Sequence, residues 1–116
     1  MKLADLRVRT EGETVIADVR GEIDMSNAGE ILAALADGTP NHAAGLIVDL
    51  SGLDYLDSAG IQLLLRLQSA LRSRSQALVL LVPVDSPIRQ TFRLAGIGER
   101  IRLAGDLEAA RTAIRD

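Results

Sequence analysis

The chain has no cysteine, one lysine, one histidine and two aromatic residues, Tyr55 and Phe92, among 116 residues. Without thiols there are no disulfides and no thiolate metal sites, a composition suited to a reducing compartment. With aromatics at 2%, the rings on which single-stranded nucleic acids stack are missing. Positive charge is also short. The net charge is −3 and the pI about 5.1, so an electrostatic footprint for nucleic acid is not expected. The longest apolar run, Ala77 to Val84, falls well below membrane-spanning length and contains Pro83. The opening residues Met1 to Arg7 become charged too early for a signal peptide. A soluble, cytoplasmic protein that is not membrane-embedded is expected.

What is present is a globular balance, 47% hydrophobic and 25% charged, with length enough for one domain and a real core of Leu, Ile, Val and Ala. Leu6–Arg9 and Thr14–Val19 alternate around a Glu11-Gly12-Glu13 turn and read as a β-hairpin. Gly21 to Asn27 is a polar connection, and Asp24, Ser26 and Asn27 are candidate caps for a helix over Ala28–Ala36. Leu46–Leu50 reads as a central strand buried on both faces, and Ile61–Ser73 as a long helix. Ala77–Val82 is a further strand. A helix capped by Ser86, with Pro87 in its first turn, then runs to Ala95. Ile101–Leu103 is a short edge strand. Asp106 caps a last helix whose Leu107, Ala110 and Ile114 share a face.

The expected fold is α/β, in the order β-β-α-β-α-β-α-β-α. Its mixed sheet has an opening antiparallel hairpin, later strands mostly parallel and about four helices. Loops beyond the carboxyl ends of parallel strands carry function in such sheets, which directs attention to Asp24 and to Asp57-Ser58-Ala59-Gly60. Ser58 stands at a strand-to-helix junction and is expected to be an N-cap. A helix N-terminus also favours a phosphoryl group on that hydroxyl.

Catalytic readings fail one after another. A nucleophilic Ser58 needs a base, and His42, in the loop before the central strand, belongs at the other end of the sheet. A phosphoaspartate reading of Asp49 lacks a lysine near the site, the single lysine being Lys2, and lacks an acidic pair after the first strand. Asp49 reads instead as a turn former that bonds loop amides. Asp49, Asp54 and Asp57 are turn and cap residues before they are metal ligands, and Gly96-Ile97-Gly98 follows a helix rather than opening one. No enzyme activity, metal or cofactor is expected.

The run from Val48 through Leu50-Ser51-Gly52-Leu53 and Asp57-Ser58-Ala59-Gly60 to Ile61 resembles the core signature of STAS domains, particularly bacterial anti-sigma factor antagonists. Gly21-Glu22-Ile23-Asp24 with Asn27-Ala28, and Pro87-Ile88-Arg89-Gln90 through Leu94-Ala95-Gly96-Ile97, extend the resemblance over nearly the whole chain, one STAS domain over 1–116. The resemblance implies a partner switch. The unphosphorylated protein binds an anti-sigma factor with serine kinase activity and releases the sigma factor. Phosphorylation at Ser58 ends the interaction, and a serine phosphatase resets it. A STAS accessory subunit of a membrane lipid or anion transporter, docking without phosphorylation, is the alternative.

Asp24 and Asp57 match acidic positions near the modified serine. Partner contacts are expected from these two, from Ala59 and Gly60, and from Gln62, Leu63, Leu65 and Arg66 along the helix. At about 100° per residue, Gln62, Arg66, Ser69 and Ser73 form a polar stripe opposite Leu64, Leu67 and Leu71. Leu63 and Leu65 flank that stripe, either as the edges of a wide core face or with one of them partly exposed for a partner.

Overall fold

A computed structural model describes residues 3–115; Lys2 lies outside them. The opening hairpin forms where alternation predicts it, but is longer. Strand β1 (Ala4–Glu11) pairs antiparallel with β2 (Thr14–Ile23) around Gly12. Much of the segment read as a polar connection is therefore strand. Helix α1 (Ala28–Asp37) follows, then β3 (Gly45–Asp49), β4 (Leu53–Leu56), α2 (Ser58–Arg72), β5 (Ala77–Leu81), α3 (Arg89–Ala95), a 3-10 turn at Ile97–Glu99, β6 (Arg102–Ala104) and α4 (Leu107–Arg115). The sheet order is β1-β2-β3-β5-β6, with every pairing after the hairpin parallel. The expected mixed α/β fold with four helices is the one observed.

Strand β4 is an addition to the expected order. Strand β2 is long enough to hold two partners on one side, β3 against Thr14–Asp18 and β4 against Gly21–Ile23. Between them the register shifts at Gly21 and Glu22. Strand β4 is invisible to period-two reading because Leu53 and Leu56 turn inward while Asp54 and Tyr55 are both exposed. Helix α3 also starts later than expected. Residues Ser86 to Ile88 form a turn in which the Ser86 hydroxyl accepts the Ile88 amide at 3.3 Å, and helical geometry begins at Arg89.

The core has two faces. Val15, Ala17 and Val19 of β2, Leu46 and Val48 of β3 and Leu78 and Leu80 of β5 pack under α1, α2 and α3. Ile16, Ile47, Val79 and Leu81 face the other way, onto Leu107, Ala110 and Ile114 of α4. Strand β3 is buried on both faces, as its continuous apolar run requires. Helix α2 contributes Leu63, Leu64, Leu67 and Leu71, all buried at helical spacing. Each stabilises the fold by roughly 2 kcal/mol through the area it removes from water.

The register shift in the second half of β2 rests on Gly21. It adopts φ +99°, its amide donates to Gly52 O at 3.0 Å, and a Cβ there would stand 2.3 Å from Leu3 O. Replacing it forces both a left-handed side chain and a backbone clash. Gly21→Ala is expected to lose about 2 kcal/mol or more of stability, measured by urea denaturation. A midpoint equal to that of the wild type would show that this position tolerates a side chain.

Candidate functional site

The site begins where β2 and β4 end side by side. The Asp57 amide donates to Ile23 O at 3.2 Å, which continues the strand pairing by one residue and keeps Asp57 extended at φ −101°, ψ −167°. That is the backbone an N-cap residue needs. The Asp57 carboxylate takes the role, accepting the amides of Ala59 at 2.9 Å and Gly60 at 3.2 Å. Ser58 is therefore the first residue of α2 rather than its cap, a correction to the sequence reading. The strand register decides between two adjacent residues of similar capping strength.

Two consequences follow for the neighbouring side chains. Ser58 is exposed, and its hydroxyl enters no hydrogen bond among the described residues. Gly60 is buried, and a Cβ on it would approach Leu56 Cβ at 2.9 Å and Ile23 Cγ2 at 3.3 Å. Gly60, expected among the partner contacts, packs inward onto Leu56 and Ile23. Its missing side chain lets the first turn of α2 sit directly on the ends of β2 and β4.

Asp24 lies at the same end of the sheet, in the loop after β2. One of its carboxylate oxygens accepts both the hydroxyl and the amide of Ser26. These bonds, the hydroxyl first, hold its carboxyl below the usual aspartate range, so it is anionic at neutral pH. Asn27, expected as a side-chain cap, does something else. Its Oδ1 accepts the Asp24 amide and its Nδ2 donates to Glu22 O, both at 2.9 Å, which braces the loop against the strand it leaves.

Four of the residues expected to meet a partner come together. Ala59, Gln62, Leu63 and Arg66 of α2 face Ala28, Gly29 and Leu32 of α1 across a groove of about 260 Å³. Gln62 and Arg66 are exposed, whereas Leu63 is only 2% exposed and forms the floor. Of the two flanking leucines, Leu65 is the half-buried one, packed against the edge of the core. The residues of α1 were missed because their contribution depends on the packing of two helices. The local signal was the small pair Ala28-Gly29, which keeps the groove open.

The remaining candidates settle into structural roles. Asp49 Oδ1 accepts the amide of Ser51 at 2.9 Å and its hydroxyl at 2.6 Å, the turn-forming role expected of it. His42 is exposed in the loop preceding β3, at the end of the sheet opposite Ser58. Of the serines Ser51, Ser58 and Ser86, Ser51 donates its hydroxyl to Asp49 and Ser86 accepts the Ile88 amide. Ser58 alone of the three keeps its hydroxyl unengaged among the described residues.

A mixed sheet with three helices on one face and one on the other is the architecture of the STAS class of small α/β domains. The family model described as "Mlab, STAS domain" matches residues 6–105, and the chain belongs to the STAS domain family, among the anti-sigma factor antagonists. It is 30% identical over 101 residues to BtrV of Bordetella bronchiseptica, which carries the name of an anti-sigma factor antagonist, covering 87% of this chain and 86% of BtrV. The crystal structure of an anti-sigma factor antagonist from Mycobacterium paratuberculosis superposes with a TM-score of 0.81 at 26% identity, over 97% of this chain and 95% of the other. The Bacillus cell fate determinant SpoIIAA in its phosphorylated form shares the fold, with a TM-score of 0.64 at 24% identity over 94% and 99% of the two chains.

The capping assignment separates two adjacent residues by experiment. Asp57→Ala is expected to cost about 1 kcal/mol through loss of the cap, and Ser58→Ala less than about 0.5 kcal/mol. Thermal or denaturant unfolding measures both. The reverse order would return the cap to Ser58.

Proposed function

We propose that this protein is a partner-switching anti-sigma factor antagonist. In its unphosphorylated form it docks onto an anti-sigma factor with serine kinase activity and displaces the sigma factor. Ser58 is the switch, and a serine phosphatase restores the docking form. The proposed setting is the cytoplasm, with one STAS domain spanning residues 1–116. The chain is acted upon, a substrate and ligand rather than a catalyst, and needs no cofactor of its own.

One observation carries this reading: Asp57 caps α2, so Ser58 projects from its first turn with a free hydroxyl beside the α1–α2 groove. In the transfer, Ser58 Oγ attacks the γ-phosphorus of ATP held by the partner. The new O–P bond forms as the bridging bond to the β-phosphate breaks, ADP leaves, and the hydroxyl proton passes to a base on the partner. The product adds a charge of roughly −1.5 to −2 next to Asp57 and at the same end of the sheet as Asp24. A docked surface complementary to the unmodified site then faces excess negative charge and its desolvation cost. Asp24, Asp57, Ala59, Gln62, Leu65 and Arg66 are the proposed contacts, with Leu63 supporting them from beneath. Among the described residues no helix is long and apolar enough to cross a membrane.

Incubation with the cognate kinase and ATP is expected to add one phosphoryl group, located at Ser58 by mass spectrometry, and to add none to Ser58→Ala. Modification of the alanine variant at another residue refutes the assignment. An unmodified wild type that co-purifies with transporter subunits would instead make the domain a docking module without a switch.

A further inference from the structure

Strand β1 is the long edge of the sheet. Among the described residues it pairs with β2 alone, over eight residues without proline, and no strand pairs with its far side. The Glu22 amide donates to Leu3 O at 2.9 Å. By the alternation of antiparallel ladders, the odd-numbered residues of β1 bond to β2, and the N–H and C=O groups of Ala4, Leu6, Val8 and Thr10 face the free edge. An edge of this kind is a template for another strand. What it is built to accept is written in its charges.

On the face away from α1, Asp5 stands opposite Arg20, and Arg7 opposite Asp18. These four residues line one shallow depression of about 300 Å³. On the other face, Leu3, Ala4 and Leu6 line a groove of about 470 Å³ against Ile31 and Ala34 of α1. Two of the chain's exposed large apolar side chains belong to this edge, Val8 at 45% and Leu3 at 38%.

We infer that β1 pairs antiparallel with β1 of a second copy of this chain, about a two-fold axis through Leu6. Asp5 then faces Arg7 of the second copy, and Arg7 faces its Asp5. With β2 included, each row across the four strands alternates in sign: Asp18, Arg7, then Asp5 and Arg20 of the second copy. On the α1 face, Leu6 meets Leu6, and Val8 of the second copy lies opposite Ala4, at the groove. Cross-strand pairs of opposite charge stabilise a sheet and like charges destabilise it, so the other registers can be ranked.

An axis at Arg7 sets Arg7 against Arg7, and one at Asp5 sets Asp5 against Asp5. An axis at Val8 sets Arg7 against Arg9 and Asp5 against Glu11, and one at Arg9 sets Arg9 against Arg9. An axis at Thr10 leaves a short overlap and uses Glu11, whose two oxygens are held by Arg111 Nη2 at 2.9 and 3.0 Å. The Arg7 and Arg9 axes keep opposite pairs, Asp5 with Arg9 and Arg7 with Glu11, but add a like pair at the axis; apart from the short Thr10 overlap, only the Leu6 register sets every charge of the junction against its opposite. Neither Asp57 nor Ser58 lines the edge groove, whereas Ser26 and Asn27 of the Asp24 loop do. The occupant is a second copy because the charge row is complementary to itself under a two-fold axis.

Sedimentation velocity from micromolar to millimolar concentration tests this. The wild type is expected to dimerise, more weakly as salt rises, with amide exchange slowed at Leu6 and Val8. Val8→Pro removes an outward N–H at an exposed position without breaking the β2 ladder, and is expected to raise the dimer Kd at least tenfold. Asp5→Arg, which sets two arginines face to face, is expected to do the same if the proline variant does not fold. A wild type that is monomeric throughout, or folded variants that dimerise as the wild type does, overturns the inference; in the second case the interface lies on another surface.

Discussion

The carboxylate of Asp57 fixes more of this molecule than any other single group. Its amide completes the pairing of β2 with β4 through Ile23 O, and its side chain closes the first turn of α2 through Ala59 and Gly60. Strand pairing and helix start are thereby locked to the same residue. Rotation of α2 follows from that lock. Ser58 turns to solvent, Gly60 meets the strands, and Leu63, Leu64, Leu67 and Leu71 face the core. A cap supplied by Ser58 would have shifted the helix start by one residue and engaged the Ser58 hydroxyl in the cap.

Strand β2 provides the second constraint. Because it carries β3 along its first half and β4 along its second, it brings the Asp24 loop and the Asp57 junction to one end of the sheet. The Ser26 and Asn27 bonds hold the Asp24 loop in place before any partner arrives. In the proposed docking, a preformed surface of this kind loses little conformational entropy. The α1–α2 groove adds apolar floor and polar rim beside it, the usual anatomy of a protein-binding patch.

Much of this was legible in the residues themselves. The continuous run at Leu46–Leu50 could only be a doubly buried strand, and the spacing of Leu64, Leu67 and Leu71 could only be one helix face. Asp106 capped where a short acceptor before an amphipathic run should, accepting the Ala109 amide at 2.8 Å. What escaped depended on tertiary register. Four residues with two inward leucines carry no strand period, so β4 was absent from the expected order. Asp57 and Ser58 are both good caps in isolation, and only the bond to Ile23 distinguishes them. Leu63 sits at the margin of the hydrophobic stripe, where the packing of α1 decides exposure. The periodicity of α2 cannot decide it.

The charge consequences of modification follow from the same geometry. A phosphate on Ser58 meets the positive end of the α2 dipole, which favours it, and the Asp57 carboxylate, which opposes it. The two act on the same turn in opposite directions, so the fold should change little while the docking surface changes greatly. Comparing Ser58-phosphorylated and unmodified protein side by side, for thermal unfolding and for affinity to the anti-sigma partner, tests this most directly. The account predicts at least a tenfold loss of affinity with a melting temperature nearly unchanged. Phosphorylation that unfolds the domain, or that leaves binding intact, would contradict it.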